Sequence, residues 1–189
     1  MEENEKLSTL PYPEADIRFA VETTYDTPAM TAMARVLRRT MRRKHTRISH
    51  IAGWILVALA LLLAIPLDGS PFVWNRTVVI DLAVAAVLVI VLFGEDPING
   101  WVASRRTLPS IRTGITYFTD SCYSSVFPVG KSEWQYSAIL QAAETKQYFV
   151  LVFSQSHAQV YAKAGFATGS PEAFAFFLEE KTGKPVLKV

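Results

Sequence analysis

The sequence is poor in cysteine, since Cys122 is the only one in 189 residues. An intrachain disulfide is therefore excluded, and nothing in the cysteine content implies an oxidising compartment. The residues around Cys122 include no fixed cation and no predicted helix start that would activate its thiol, so we predict an inert side chain.

The sequence also lacks the motifs of catalysis and of metal or nucleotide binding. No cluster of His, Cys and Asp has metal-ligand spacing, and no glycine-rich phosphate loop follows a predicted strand. Cys122, His157 and Asp120 could be written as a nucleophile, a base and an orienting group, but their spacing does not favour that assignment. We therefore predict a protein that is not an enzyme and that holds no cofactor and no metal.

Charged residues are scarce, at 19% of the chain, and they are absent from residues 51–67. A second apolar run, residues 78–93, is interrupted only by Asp81. A helix needs about 17–25 residues to cross about 30 Å of hydrocarbon, and the length of each run is near the lower limit of this range. Only helices satisfy their own backbone groups in lipid, and a chain of this size could not bury two helices that are apolar on every face. We predict two transmembrane helices.

The distribution of basic residues predicts the orientation of these helices. Seven basic residues lie in the approach to the first apolar run: Arg35, Arg38, Arg39, Arg42, Arg43, Lys44 and Arg47. Three more follow the second run: Arg105, Arg106 and Arg112. The loop between the runs has Arg76 alone. Both termini are therefore predicted to be cytoplasmic, in a multi-pass protein of the cell membrane.

Two polar residues lie near the apolar runs, and an ionisable group within a membrane is a functional candidate. In an antiparallel hairpin, His50 at the inner end and Asp81 at the outer end lie on opposite sides of the bilayer and cannot form a pair. Asp81 near the start of the second helix also suits the helix dipole, so a structural role is favoured for it. Ala60 and Ala64 have a small-xxx-small spacing that would let the helices approach closely.

Residues 28–47 read as a basic amphipathic helix that leads into, or bends into, the first span. Thr27-Pro28 is typical of a helix start, and Met30, Met33 and Leu37 recur at helical spacing. The simplest role of its arginines is to set the topology, and attraction of anionic lipid headgroups is the next. Nucleic-acid binding is not predicted, because the run adjoins a membrane span and has no interleaved aromatic residues.

Beyond Pro109 the pattern changes to the period of two that is typical of strands. Several short alternating segments separated by polar turns predict an antiparallel barrel or sandwich. Ser170-Pro171 and Gly183 bound a closing helix. Residues 17–25 alternate in the same way and lie on the same side of the membrane, so we predict that they add a strand to the cytoplasmic sheet.

A family resemblance rests on several short segments of this domain. They are Tyr117-Phe118-Thr119-Asp120, residues 132–139, residues 148–151, residues 160–166, and Phe174 with Leu178 in the closing helix. In these residues and in its layout the chain resembles the YcxB-like membrane proteins, which implies a C-terminal domain of pleckstrin-homology-like character. The family usually has proline before the lysine that corresponds to Lys163, where this chain has Ala162. The resemblance implies a fold but no activity.

These observations predict an α+β membrane protein: a two-helix transmembrane hairpin and a cytoplasmic antiparallel β domain, pleckstrin-homology-like and closed by a C-terminal helix. The predicted segments are a tail and strand (1–27), the basic helix (28–47), the first span (48–67), an external loop (68–77), the second span (78–94), a short helix and linker (95–110) and the β domain (111–189).

The predicted function is to hold the β domain at the cytoplasmic leaflet for binding a protein or a lipid headgroup. The expected partners are the lipid bilayer, anionic headgroups, and either a protein partner or further copies of the chain. The alternative is a small subunit of a transporter or larger membrane complex.

Overall fold

The computed structural model describes residues 11–65, 71 and 73–189. Residues 1–10 of the predicted tail, and residues 66–70 and 72 at the end of the first span and in the predicted external loop, lie outside this range. The described chain is α+β, with long apolar helices and two sheets.

The two sheets are built from nine short strands in the described chain. They are β1 (Phe19–Thr24), β2 (Thr113–Phe118), β3 (Cys122–Phe127), β4 (Gly130–Gln135), β5 (Gln141–Glu144), β6 (Tyr148–Val152), β7 (Ala158–Ala162), β8 (Phe166–Thr168) and β9 (Leu187–Lys188). One sheet has the order β4-β3-β2-β1-β8 and the other the order β7-β6-β5-β9. The sequence did not predict β8 and β9, because strands of three and two residues are too short to show an alternating pattern.

The strand predicted from the N-terminal segment lies inside the first sheet. β1 pairs antiparallel with β2, from Phe19 opposite Phe118 to Thr24 opposite Thr113, and its other edge pairs with β8. Phe19, Val21 and Thr23 are all buried, as the alternation requires. The sheet is therefore completed by residues from before and after the apolar helices.

The main core lies between the sheets and is rich in aromatic residues. The rings of Phe118, Tyr123 and Phe149 are fully buried, and Phe174 from the C-terminal helix packs edge-on against Phe118 and Phe149. That helix, Pro171–Thr182, begins at Ser170, whose Oγ accepts a hydrogen bond from the Ala173 N–H at 3.2 Å. It ends at Gly183 in the left-handed conformation, so the predicted start and stop are both confirmed.

In the described chain, three α-helices lie between β1 and β2. They are α1 (Thr27–Thr40), α2 (Arg43–Leu63) and α3 (Arg76–Arg106). The C-terminal helix, Pro171–Thr182, is therefore α4. The cap of α1 is Asp26 rather than the predicted Thr27, since the Asp26 carboxylate accepts a hydrogen bond from the Ala29 N–H at 2.9 Å. The chain does bend between α1 and α2, but the bend lies at Met41 and Arg42, so α2 begins before the predicted boundary at residue 48.

The prediction of a separate short helix after Asp96-Pro97 is wrong. α3 runs without interruption from Arg76 to Arg106 and has Pro97 in its interior. Proline removes one backbone donor, but the turns on both sides continue the helix. Asp96 is not a cap, because its carboxylate binds the guanidinium group of Arg38.

α2 and α3 pack as an antiparallel hairpin. His50 lies 3.2 Å from Glu95, the rings of Trp54 and Phe93 are 5.9 Å apart, and Ala60 and Ala64 are buried. The small residues therefore lie in the close contact that their spacing predicts. Thr46–Leu63 and Arg76–Arg106 are long and apolar enough to cross a membrane, since each contains an 18-residue stretch of high mean hydropathy, 1.8 in the first and 2.7 in the second.

Candidate functional site at the helix junction

α1 lies between the β domain and α3 and packs on both. Its apolar face carries the buried residues Ala29, Val36 and Leu37. These pack on the outer face of the second sheet, against Val150 and Val160 among others. The opposite side of α1 packs along the last part of α3, so this helix connects the β domain to the apolar hairpin.

The contact between α1 and α3 combines small, polar and charged residues spaced four apart on α3. Thr27 and Ser104 share a hydrogen bond of 2.9 Å between their hydroxyl groups. Thr31 lies directly against Gly100, where a Cβ atom would meet the Thr31 backbone nitrogen and Cα at 2.6 Å. Farther along, Arg38 binds Asp96. We call these three contacts the helix clamp.

Asp96 is the most buried charged group of the helix clamp, with 7% of its surface exposed. The Arg38 guanidinium donates to both carboxylate oxygens, at 2.6 and 2.5 Å, and Arg35 lies 3.6 Å from the same group. The hydrogen bonds with Asp96 raise the pKa of Arg38 above its ordinary value. A buried carboxylate is stable only with such partners, so Asp96 fixes the position of α1 on α3.

A second pair extends this charged cluster to α2. Glu95 lies 3.2 Å from the Nε2 of His50 and 3.9 Å from the Nε of Arg38. His50 therefore has a partner on α3, at the end of the hairpin away from Asp81. All three helices contribute charged or polar side chains to the place where the apolar hairpin meets the β domain.

A cavity of about 920 Å³ opens at this junction, between the bend of the helices and the turn from β6 to β7. Its lining residues are Thr40, Met41, Arg42, Arg43, Lys44, Gln155 and Ser156. The Arg42 Nε donates a hydrogen bond of 2.9 Å to the Gln155 carbonyl, which ties the bend to the β domain. We call this the junction cavity.

The junction cavity is open to solvent and strongly basic. Arg42, Arg43 and Lys44 are all exposed, and none of the described residues that line the cavity is acidic. α2 begins here, and its N-cap residue Arg42 makes no side-chain capping hydrogen bond. The guanidinium and ammonium donors of these side chains form a surface that suits phosphate oxygens.

The seven basic residues predicted from the sequence separate into two groups in the structure. Arg38 is directed at α3 and is largely covered, and Arg35 contacts the same carboxylate with 44% of its side chain exposed. The other five are exposed: Arg39, Arg42, Arg43, Lys44 and Arg47. Of these, Arg42, Arg43 and Lys44 meet in the junction cavity.

Sequence reasoning missed an aromatic cluster beside the junction cavity. The ring of Trp134 on β4 lies 5.0 Å from Phe153 and 5.4 Å from His157, and Phe153 and His157 are 5.3 Å apart. His157 follows Gln155 and Ser156 in the turn that lines the junction cavity. Only a hairpin turn was predicted for His157, because Trp134 lies on a different sheet and nothing local in the sequence connects them.

The residues considered for nucleophilic catalysis do not form a site. Cys122 Sγ lies 3.3 Å from the Tyr12 hydroxyl, while His157 contacts Trp134 and Phe153. Asp120 binds Lys181 at 3.0 Å, and that hydrogen bond lowers the pKa of the Asp120 carboxyl. Within residues 11–65, 71 and 73–189, no hydrogen bond joins Cys122, His157 and Asp120.

Lys163 has a structural environment. Its ammonium group binds Glu144 at 2.5 Å and lies 5.1 Å from the centre of the Phe149 ring. The ion pair joins the end of β7 to β5. Ala162, where the resembled family has proline, uses its backbone N–H to donate to the Thr23 hydroxyl at 3.1 Å, a bond that proline could not make.

Asp81 is half-buried in α3, three residues after the buried Val78 and four before the buried Ala85. It therefore lies on the side of α3 that faces α2. In the part of the chain that the structure describes, Asp81 has no ion pair or side-chain hydrogen bond, and no three His, Cys, Asp or Glu side chains are grouped as metal ligands.

Comparison of the chain with family models, curated proteins and solved structures found no match.

Proposed function

We propose that this chain is an integral membrane protein whose β domain is held at the cytoplasmic surface, where the junction cavity binds anionic lipid headgroups. α2 and α3 form the transmembrane hairpin, and both termini are cytoplasmic. The observation that carries the proposal is the position of the junction cavity. Its three basic residues come directly before the candidate membrane span Thr46–Leu63.

Geometry supports a lipid ligand at this place. α-Helical residues advance about 1.5 Å each, so Lys44 lies within one turn of the start of this candidate span. In a bilayer, a residue at the start of a span lies at the level of the headgroup phosphates. Each basic residue near an anionic surface contributes about 1 kcal/mol of attraction, so Arg42, Arg43 and Lys44 together contribute about 3 kcal/mol.

The β domain gives this attraction a defined geometry. The bond from Arg42 to Gln155 and the helix clamp fix the β domain relative to the hairpin. The layout, with two sheets closed by α4, accords with the pleckstrin-homology-like domain of the YcxB-like proteins that the chain resembles. We propose membership of that family on the residues quoted above, and a non-enzymatic role in binding.

The lipid site is tested by native mass spectrometry of the full-length protein released from nanodiscs with equal amounts of phosphatidylcholine and phosphatidylglycerol. The parental protein is expected to retain phosphatidylglycerol selectively. The variant R42Q/R43Q/K44Q should lose that selectivity, because it removes the three cations of the junction cavity.

The matched control is R105Q/R106Q/R112Q, which removes the same charge at a distance from the cavity. It should retain selectivity like the parental protein, and circular dichroism checks that both variants keep their secondary structure. If the two triple variants retain anionic lipid equally, the junction cavity is not a headgroup site.

A second candidate is a small subunit of a transporter or larger membrane complex, and the position of Asp81 favours it. A carboxylate without a partner in the described residues, on the inner face of a membrane helix, is costly unless something neutralises or hydrates it. This role predicts that D81N alters ion or proton flux through liposomes that contain the protein. Unchanged flux in D81N would exclude this role.

A further inference from the structure

The end of the β domain beside the junction cavity carries apolar and aromatic surface as well as positive charge. Leu140 is 48% exposed, and its N–H donates to the Val152 carbonyl at 2.8 Å. That bond places Leu140 at the end of β6 from which the turn to His157 begins. Trp134 and His157 lie at the same end, and we call Trp134, Leu140, Phe153 and His157 the aromatic rim.

Each member of the aromatic rim leaves part of its surface accessible. His157 is exposed, and Trp134 and Phe153 are partly exposed. The indole N–H of Trp134 donates to the Ser132 hydroxyl at 3.1 Å, which leaves the ring with one polar edge and one apolar body. Rings of this kind concentrate at the level of the headgroups in membrane proteins.

A cation borders the aromatic rim on the side away from the junction cavity. The ammonium group of Lys184, an exposed residue, donates to the carbonyls of Ile139 and Leu140, each at 3.1 Å. The rim is therefore flanked by positive charge on both sides, by Lys184 and by Arg42. Apolar rings between exposed cations complement the boundary between acyl chains and anionic headgroups.

We propose that the aromatic rim lies against the bilayer and places the Trp134 ring in its interfacial layer. The occupant of this surface is the lipid itself, because the rim is continuous with the junction cavity through Gln155 and Ser156 and shares its charge. The proposal rests on the proposed function, which brings the junction cavity to the headgroups. It adds a second contact, so that the β domain is held to the membrane by a face and not only by its connecting helices.

Fluorescence of Trp134 in the full-length protein tests this proposal. Trp54, Trp74 and Trp101 are 46%, 70% and 52% exposed, so W54F/W74F/W101F is expected to fold and to leave Trp134 as the only tryptophan. The protein is reconstituted in liposomes of phosphatidylcholine and phosphatidylglycerol, with and without brominated acyl chains. The expected result is a loss of Trp134 emission in the brominated liposomes.

The control moves the tryptophan to the other end of β4. Val129, in the turn between β3 and β4, is 66% exposed, and adding V129W and W134F to the triple background reports on that end. Its emission should be unchanged by bromine. Quenching of Trp134 alone supports the proposal, whereas equal quenching at both positions or at neither overturns it.

The outcome for the aromatic rim is separable from that for the junction cavity. If Trp134 is not quenched while R42Q/R43Q/K44Q still abolishes lipid selectivity, the aromatic rim is not a membrane contact and the proposed function stands. If Trp134 becomes shielded only on addition of a cytoplasmic extract, the rim binds a protein and the proposal is overturned. Absence of both lipid selectivity and quenching overturns the two together.

Discussion

At the scale of single residues, the pair of Arg38 and Asp96 shows how a charge can be assigned wrongly from sequence alone. Asp96-Pro97 has the pattern of a helix cap, and Arg38 belongs to a run of seven basic residues that suggests a membrane surface. The two are 58 residues apart, so no local pattern connects them. In the structure they neutralise each other across two helices.

Replacing Arg38 by glutamine should destabilise the protein. Asp96 is 7% exposed and would keep only Arg35, which is 3.6 Å away. Loss of a hydrogen bond to a charged group costs about 1.5–3 kcal/mol, and we expect R38Q to reduce the free energy of unfolding by an amount in this range. Denaturant unfolding in detergent, followed by circular dichroism, measures the change.

The neighbouring residue provides the control for R38Q. Arg39 is exposed, and R39Q removes the same charge from the same helix. Its effect should stay within about 0.5 kcal/mol, as is usual for surface positions. Equal loss of stability in R38Q and R39Q would show that net charge, rather than the pair with Asp96, determines the effect.

At the scale of elements, the sequence predicted those helices and strands whose signals are local. The alternation in residues 17–25, the apolar runs and the ends of α4 are each visible within a few residues. The continuity of α3 through Pro97 was not visible, because Asp96-Pro97 has the local pattern of a helix start. β9 was not visible either, since its two residues pair in parallel with β5, which lies far from it in sequence.

Packing of α1 on α3 predicts opposite effects for two glycine substitutions in α3. G100A should reduce stability by about 1–3 kcal/mol, the usual cost of overpacking, because the new Cβ atom would meet the Thr31 backbone at 2.6 Å. G94A places its Cβ only against the end of the Ile98 side chain, at 3.0 Å. It should be neutral or stabilise the helix by up to about 1 kcal/mol, because alanine favours helix.

Thermal unfolding of the two variants in the same detergent makes the comparison. The two substitutions are identical in chemistry and lie in one helix, so differences in helix propensity cancel. A loss of stability in both would mean that α3 does not tolerate added methyl groups in general, and the close contact with Thr31 would then have no special role.

At the scale of the whole molecule, pairing of β1 with β2 constrains the topology. The two strands are hydrogen-bonded over their full length and lie on either side of the hairpin in sequence. If α2 and α3 cross a bilayer, the second crossing must return the chain to the side on which β1 lies, because β2 pairs with β1. The distribution of basic residues predicts the same arrangement without reference to the sheet.

Labelling of single cysteines tests that topology. In a C122S background, V73C and E22C introduce thiols at exposed positions on the two predicted sides. In right-side-out membrane vesicles, a membrane-impermeant maleimide should react with V73C and not with E22C until detergent is added. Reaction at both sites in sealed vesicles would contradict a two-span hairpin with cytoplasmic termini.

The candidate site could be predicted only in part, for reasons that act at this same scale. Arg42, Arg43 and Lys44 are consecutive, so a basic surface was evident from the sequence. That they face the turn at Gln155 depends on the bend at Met41 and on how α1 lies on the second sheet. Likewise, the aromatic rim forms where Trp134 of β4 meets the turn after β6. These residues belong to different sheets, and a contact between sheets leaves no local pattern in the sequence.

The position of β1 inside the first sheet, between β2 and β8, also has a consequence for the nascent chain during synthesis. The ribosome releases β1 before either apolar helix, whereas both of its neighbours in the sheet, β2 and β8, are made only after the hairpin is complete. β1 must therefore remain unpaired until the residues that follow α3 have been synthesised, with both of its hydrogen-bonding edges open to other strands. Stalling or truncation during translation of the hairpin would leave a nascent chain that is prone to aggregate.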